Sequence, residues 1–249
     1  MIAGGVIASA GTIIHGSAIV AFRARNESRA PRRGAVQTMI AKLIVALDLV
    51  GVAVFAVTGA LVASRKQMDI AGFALLATVT GIGGGTARDV ALGLQPVFWV
   101  REPVYVVLCI AVAAITFFTA HIPESRYRLL LWLDALGLSF FCIVGTDKAI
   151  EAGAGNFIAV VMGVITATIG GVVRDVLGGE VPIILRREIY VTAALAGSMS
   201  YAVLFAAGLA APAAALVGFA ACLVIRGAAL QRGWSLPAYR PRPGREPEN

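Results

Sequence analysis

The chain has 249 residues, of which 59% are hydrophobic and 14% charged, with a mean hydropathy of +0.85. Soluble domains carry about 25% charged residues, so a single water-soluble globule is excluded. The formal charge of +7 invites a nucleic-acid partner, but the lysines and arginines sit at the ends of apolar runs and in the tail, where they set membrane topology instead. Strand-like alternation is missing, which argues against a barrel. Cys109, Cys142 and Cys222 are odd in number and each lies in an apolar run, so no disulfide framework or metal site is read. His15 and His121 are far apart in sequence. With no Walker loop or triad spacing either, the chain is not read as an enzyme.

Apolar blocks of about 20 residues cross hydrocarbon as helix. They predict an all-α membrane protein with seven core spans, at about Ile40–Ser64, Ile70–Leu94, Pro103–His121, Leu129–Ala149, Phe157–Leu177, Ile189–Leu209 and Pro212–Leu230. Residues 1–38 read as an N-terminal extension, either a mis-called start or a loosely attached segment. Met1–Phe22 is apolar, five arginines follow by Arg33, and Met39 directly precedes the first repeat. Residues 39–121 form a first three-helix repeat, 122–209 a second, 210–232 a seventh helix, and 233–249 a disordered basic tail.

The repeat is exact in register. Gly81-Ile-Gly-Gly-Gly-Thr-Ala-Arg-Asp89 returns 86 positions later as Ala167-Thr-Ile-Gly-Gly-Val-Val-Arg-Asp175. The same offset aligns Asp48 with Asp134, Gly51 with Gly137, Phe55 with Phe141, Gly59 with Gly145, Thr80 with Thr166 and Gly93 with Gly179. Chance alignment of apolar runs would match leucines and valines; this one matches glycine, aspartate and arginine. An odd number of spans per unit makes the second unit enter the membrane from the other side, so the units are inverted repeats.

Gly81, Gly83, Gly84 and Gly85, and then Gly170 and Gly171, fall near the middle of spans two and five. Such glycines serve either close helix packing or a bend or break whose freed backbone groups line a wet cavity. The charged pair one turn later in each copy favours the break. Ionisable residues at this depth need partners. Arg88 and Asp89, like Arg174 and Asp175, are sequence neighbours that leave a helix in different directions, so partners are expected from other helices. Asp48 and Arg88 are 40 residues apart, as are Asp134 and Arg174, and these are the expected pairs, one on each side of the midplane. The alternative role for them is purely structural. Lys148 is a candidate outer gate, though it and Asp147 also suit interfacial snorkelling. Trp99, Trp132, Tyr105, Tyr127 and Tyr190 sit at span ends, as an aromatic belt does.

Arg65, Lys66, Arg126, Arg128, Arg186, Arg187, Arg232 and the tail fall on one side; Lys42, Arg101 and Lys148 fall on the other. The first side is therefore expected in the cytoplasm, with the C-terminus.

Gly83-Gly-Gly-Thr-Ala-Arg-Asp89 and Gly170-Gly-Val-Val-Arg-Asp175, set in three-plus-three spans and a seventh, resemble the prokaryotic branch of the trimeric intracellular cation (TRIC) channel family. The resemblance covers about Met39 to Gln231. It implies a homotrimer in the prokaryotic inner membrane, with one pore per protomer between helices two and five, conducting K+ and Na+. It implies no cofactor, membrane lipids as partners, and a bound lipid as a candidate further ligand. The same domain is also labelled a glycine transporter, so a secondary transporter of a small solute is the alternative, for which broken helices and inverted repeats serve equally well.

Overall fold

The computed structural model describes residues 30–235 and 237, except 124 and 187, with side chains described from Asp48 onward. The expectations for residues 1–29 and for the tail after 237 lie outside the described residues. The long helices are α1 (Ala30–Arg65), α2 (Ile70–Ala91), α3 (Val104–Thr119), α4 (Arg126–Glu151), α5 (Asn156–Leu177), α6 (Val191–Ala206) and α7 (Ala211–Arg232). Single turns at Phe98–Arg101 and Ile183–Leu185 precede α3 and α6. Among the described residues the only strand-like pairing is an isolated bridge between Glu188 and Ser235. Residues up to Ala46 form a unit separate from the body that begins at Leu47, and the bundle packing is that of the body.

Among the described residues, five helical segments are long and apolar enough to cross a membrane: Asp48–Arg65, α2, α4, α5 and α7. The first helix begins ten residues before the expected Ile40. Pro31 suits a helix start, where its missing N–H costs nothing, and Arg32, Arg33, Ala35 and Gln37 are good helix formers. Helices α3 and α6 have 16 residues each, a rise of about 24 Å, shorter than a hydrocarbon core of about 30 Å. The chain before each is folded into a short turn rather than continuing the helix.

Helices α2 and α5 end alike. Gly93 and Gly179 take the left-handed conformation at φ +69° and +62°. The N–H of Leu94 then donates to Asp89 O at 2.8 Å, and that of Glu180 to Asp175 O at 2.8 Å. This is the glycine-terminated cap that satisfies the last carbonyls of a helix, used at the same place in both repeats.

Both glycine segments are uninterrupted α-helix, which corrects the expectation of broken helices. Their glycines serve contact. A Cβ on Gly84 would collide with the carbonyl oxygen of Thr166, and one on Gly170 with that of Thr80. Thr80 and Gly84 are the offset-86 counterparts of Thr166 and Gly170, so the two contacts are reciprocal. The register rises along α2 as it falls along α5; the helices therefore cross antiparallel, backbone against backbone. Side-chain hydroxyls of Thr80 and Thr166 bond back to Leu76 O and Met162 O at 2.5 and 2.6 Å, so these buried hydroxyls are satisfied within their own helices.

Helices α1 and α4 repeat the pattern. Gly51 lies against Phe141 and Gly137 against Phe55, and the two rings meet with centroids 5.0 Å apart. Without a hydrophobic drive between helices in lipid, such small-residue contacts are what bring them together.

The glycines thereby become distinguishable. A Cβ on Gly83 would find only Gly170 Cα, at an ordinary 3.7 Å. Gly83→Ala should leave thermal stability in detergent unchanged or raise it, since alanine is the better helix former. Gly84→Ala should cost about 1–3 kcal/mol, as forced overpacking does. Equal melting temperatures for the two variants would contradict the backbone contact.

Candidate functional site

The last turn of α2 presents Arg88 and Asp89, both buried. Arg88 donates from Nε and Nη2 to Asp89 Oδ1 at 2.9 and 2.7 Å. The other oxygen, Asp89 Oδ2, accepts the backbone N–H of Phe98 at 2.9 Å. In α5, Arg174 Nε donates to Asp175 Oδ1 at 2.9 Å, and Asp175 Oδ2 accepts the N–H of Ile183 at 2.9 Å. The sequence neighbours thus do pair, contrary to expectation. Helical geometry separates their Cβ directions, but an arginine stem is long enough to fold back at a helix end. The aspartate is held in place by the N–H opening the next turn, a capping interaction.

Beyond this shared element the copies diverge. Arg174 reaches on through Nη1 to Asp134 Oδ1 at 2.7 Å and Thr58 Oγ1 at 3.0 Å, so the expected Asp134–Arg174 pair is present. Asp48 does not meet Arg88 in the same way. Its Oδ2 instead accepts from the Tyr105 hydroxyl at 2.9 Å and from Lys148 Nζ at 3.3 Å. Lys148 has the apolar Val62 as its counterpart at the repeat offset, so the second cluster has no rival cation at that position. Lys148 Nζ and the Arg88 guanidinium also share the Phe98 ring, 5.6 and 5.8 Å from its centroid. The first cluster balances Asp48 and Asp89 with Arg88 and Lys148. In the second, Asp134 and Asp175 share Arg174.

The glycines frame these clusters. A Cβ on Gly85 would strike the Phe98 ring, one on Gly81 would crowd Cys109 and the Val52 carbonyl, and one on Gly171 would approach the Tyr190 hydroxyl, Arg174 and Asp134. Tyr105 and Tyr190 are buried beside Asp48 and Asp134, which corrects their placement in an aromatic belt. Trp99 bonds through Nε1 to Thr86 Oγ1 at 3.0 Å. Asp147 turns inward to accept from the Tyr201 hydroxyl. Arg226 escaped the sequence reading: it is 1% exposed, pairs with Glu188 at 2.6 Å and stacks 5.2 Å from the Tyr190 ring. The signal was an arginine inside the seventh apolar run. Among the described residues no cluster of histidine, cysteine, aspartate or glutamate could hold a metal ion.

Large apolar side chains such as Phe118 and Phe157 face outward, 71% and 79% exposed, while Arg88, Arg174 and Arg226 are enclosed. That inversion of the soluble pattern defines a multi-pass membrane protein. A family profile described as glycine transporter matches residues 45–121 and 131–206. A solved TRIC trimeric intracellular cation channel orthologue from Rhodobacter sphaeroides is 58% identical, with a TM-score of 0.76, covering 77% of this chain and 99% of that one. The UPF0126 inner membrane protein YadS of Escherichia coli K12 is 42% identical, covering 79% of this chain and 96% of the relative. A UPF0126 membrane protein of Vibrio cholerae is 41% identical, covering 79% and 83%. The chain belongs to the prokaryotic TRIC family, whose domain also carries the glycine-transporter description, and that family is one of membrane transport proteins rather than enzymes.

The two aspartates should differ in weight. Asp134 and Arg174 have 0% side-chain exposure, whereas Lys148 beside Asp48 keeps 26%. Removing one partner of a fully buried pair costs about 3–5 kcal/mol, and less where one partner is partly exposed. Asp134→Asn should lower the melting temperature of the purified protein far more than Asp48→Asn. The reverse order would contradict the assignment of the second cluster as the deeper one.

Proposed function

We propose that this chain is a monovalent-cation channel of the inner membrane, conducting K+ and Na+ as a homotrimer with a separate pore in each protomer between α2 and α5. The observation that carries the reading is the 58% identity, over nearly the whole length of the relative, to a solved TRIC cation channel. Seven spans arranged as two inverted triplets and a seventh, with the C-terminus in the cytoplasm, agree with the antiparallel register of α2 against α5 and with the positive-inside count.

The geometry supports a route that is polar on both sides of a narrow waist. Arg88, Asp89, Asp48 and Lys148 lie toward one end of the crossing; Arg174, Asp175 and Asp134 lie toward the other. Asp134, Arg174 and the Tyr190 hydroxyl are buried together around Gly171, so polar groups continue on that side of the waist. Arginines already neutralised by their own neighbours do not repel a passing cation. Between the clusters, Gly84, Gly170, Phe55 and Phe141 close the path by contact, so conduction requires α2 and α5 to part. Lys148, the most solvent-accessible cation of the first cluster, is the candidate outer gate.

A second reading has one specific support, the glycine-transporter description of the matching family: secondary transport of glycine by rocking of the same repeats. Purified protein in planar bilayers should give discrete current steps whose reversal potential follows a K+ or Na+ gradient, and should migrate as a trimer in detergent by light scattering. Arg88→Gln should change open probability, because Asp89 then loses its counter-charge while still holding the Phe98 turn. Absence of steps together with saturable, gradient-driven glycine uptake would establish the transporter instead.

A further inference from the structure

The duplication supplies an internal comparison for the residues of the two clusters. Asp48, Arg88 and Asp89 have Asp134, Arg174 and Asp175 at the offset of 86 residues, whereas Phe98 has Ile184 and Lys148 has Val62. The first cluster therefore differs from the second by an aromatic ring and an added cation, and these two meet. Lys148 Nζ lies over the Phe98 ring, 5.6 Å from its centroid. A cation at this distance from a ring face is attracted by the negative side of the ring quadrupole.

The ring is held firmly. The backbone N–H of Phe98 donates to Asp89 Oδ2 at 2.9 Å, and the Arg88 guanidinium lies 5.8 Å from the ring centroid. Gly85 makes room for the ring, since a Cβ there would come within 2.6 Å of Phe98 Cε1. Tyr105 packs edge to face against it with centroids 4.7 Å apart, and the Tyr105 hydroxyl donates to Asp48 Oδ2 at 2.9 Å. The lysine is held less firmly. Its hydrogen bond to the same Asp48 oxygen is 3.3 Å long, where a charge-assisted bond is about 2.7–2.9 Å, and its side chain is 26% exposed. With that oxygen already shared with Tyr105, the face of Phe98 is the second hold on the ammonium.

We propose that Phe98 is the positioning residue at this end of the crossing: its π face holds the Lys148 ammonium beside Asp48, tying α4 to the end of α2, and the lysine leaves the ring when the path opens. The channel reading, on which this assignment rests, names the lysine; the ring is what sets how readily that lysine lets go. An isoleucine, as the other repeat carries at Ile184, would offer apolar volume without a quadrupole and leave the lysine on one long hydrogen bond. Packing of the ring against Gly85 and Tyr105 depends on shape, whereas its attraction for the ammonium is electrostatic. Fluorination separates the two, because it drains the negative face of the ring with little change in size.

The test places trifluorophenylalanine at position 98 of the full chain and compares it with the wild type by two readouts. In nanodiscs, acetylation of Lys148 by a sulfonated succinimidyl ester, followed by peptide mass spectrometry, should be about two- to fivefold faster, the factor that a partly exposed cation–π contact is worth. A monofluorinated ring should fall between, and Lys66, which faces Glu180 instead, should react at the wild-type rate throughout. In planar bilayers the ratio of open to closed time should rise by a similar factor. Phe98→Ile should shift both readouts in the same direction, and the fluorinated ring, being close in shape to the native one, carries the test should that variant fold poorly. Unchanged acetylation across the fluorinated series would overturn the proposal, as would faster acetylation with an unchanged ratio of open to closed time. Faster acetylation in a protein that gives no current steps would sink the channel reading and leave the contact between ring and lysine standing, so the two failures are distinguishable.

Discussion

Two backbones touch where Gly84 meets the Thr166 carbonyl and Gly170 meets that of Thr80, and the rest of the bundle is arranged around that contact. Bringing helices this close requires that neither carries a side chain at the crossing. Because the contact is reciprocal at an offset of 86 residues, it also fixes a local two-fold relation between the repeats. Phe55 and Phe141 are then forced together beside it, each seated on the glycine of the other repeat's helix. Arg88 and Arg174 stand four residues past Gly84 and Gly170, which in antiparallel helices puts them on opposite sides of the crossing.

Adjacent Arg-Asp residues do the same local task twice. The aspartate uses one oxygen to hold its arginine and the other to cap the turn that follows the helix. Buried ion pairs are weak evidence for net stability, because desolvation offsets much of their attraction; here they fix where the connecting segments return to the bundle. The short turns at Phe98 and Ile183 replace what would have been helix, which is why α3 and α6 are too short to span as straight rods. On this symmetric frame sit two asymmetric cations, Lys148 and Arg226, each near one cluster and neither repeated at the offset.

The all-helical membrane fold and the Asp134–Arg174 contact were legible in the sequence, the first from apolar runs of spanning length and the second from charges placed inside those runs. The role of the glycines was not. A glycine run reads the same whether a helix breaks or packs; the deciding fact is a carbonyl on another helix, which one strand of sequence does not reveal. The Asp48–Arg88 expectation failed for a related reason. It extended the repeat to a cluster where Lys148, coming from α4 at a position with no repeat counterpart, takes the carboxylate. Tyr105 and Tyr190 sit near span ends in sequence yet point inward, since the short turns before α3 and α6 draw those ends into the bundle. Arg226 was visible as a charge inside an apolar run, but its partner Glu188 lies in a loop that span-reading treats only as a connection.

The unequal clusters bear on how a path through this fold opens. Arg88 is neutralised by Asp89 on its own helix, so α2 can move without stripping a counter-ion from it. The cross-repeat link at that end is Lys148–Asp48, 3.3 Å long with the lysine partly exposed, a weaker tie than a short, fully enclosed pair. At the other end Arg174 is bound to its own Asp175, to Asp134 on α4 and to Thr58 on α1, all inside the bundle. Parting α5 from these leaves buried groups unpaired, at about 3–5 kcal/mol for the charge pair alone. On the proposed function, then, a frame built from two copies of one unit opens first at the end where Lys148 stands, while the Arg174 end serves as the fixed support. Symmetry supplies the crossing; the unrepeated Lys148, which takes Asp48 at one end and has no counterpart at the other, decides which side of it moves.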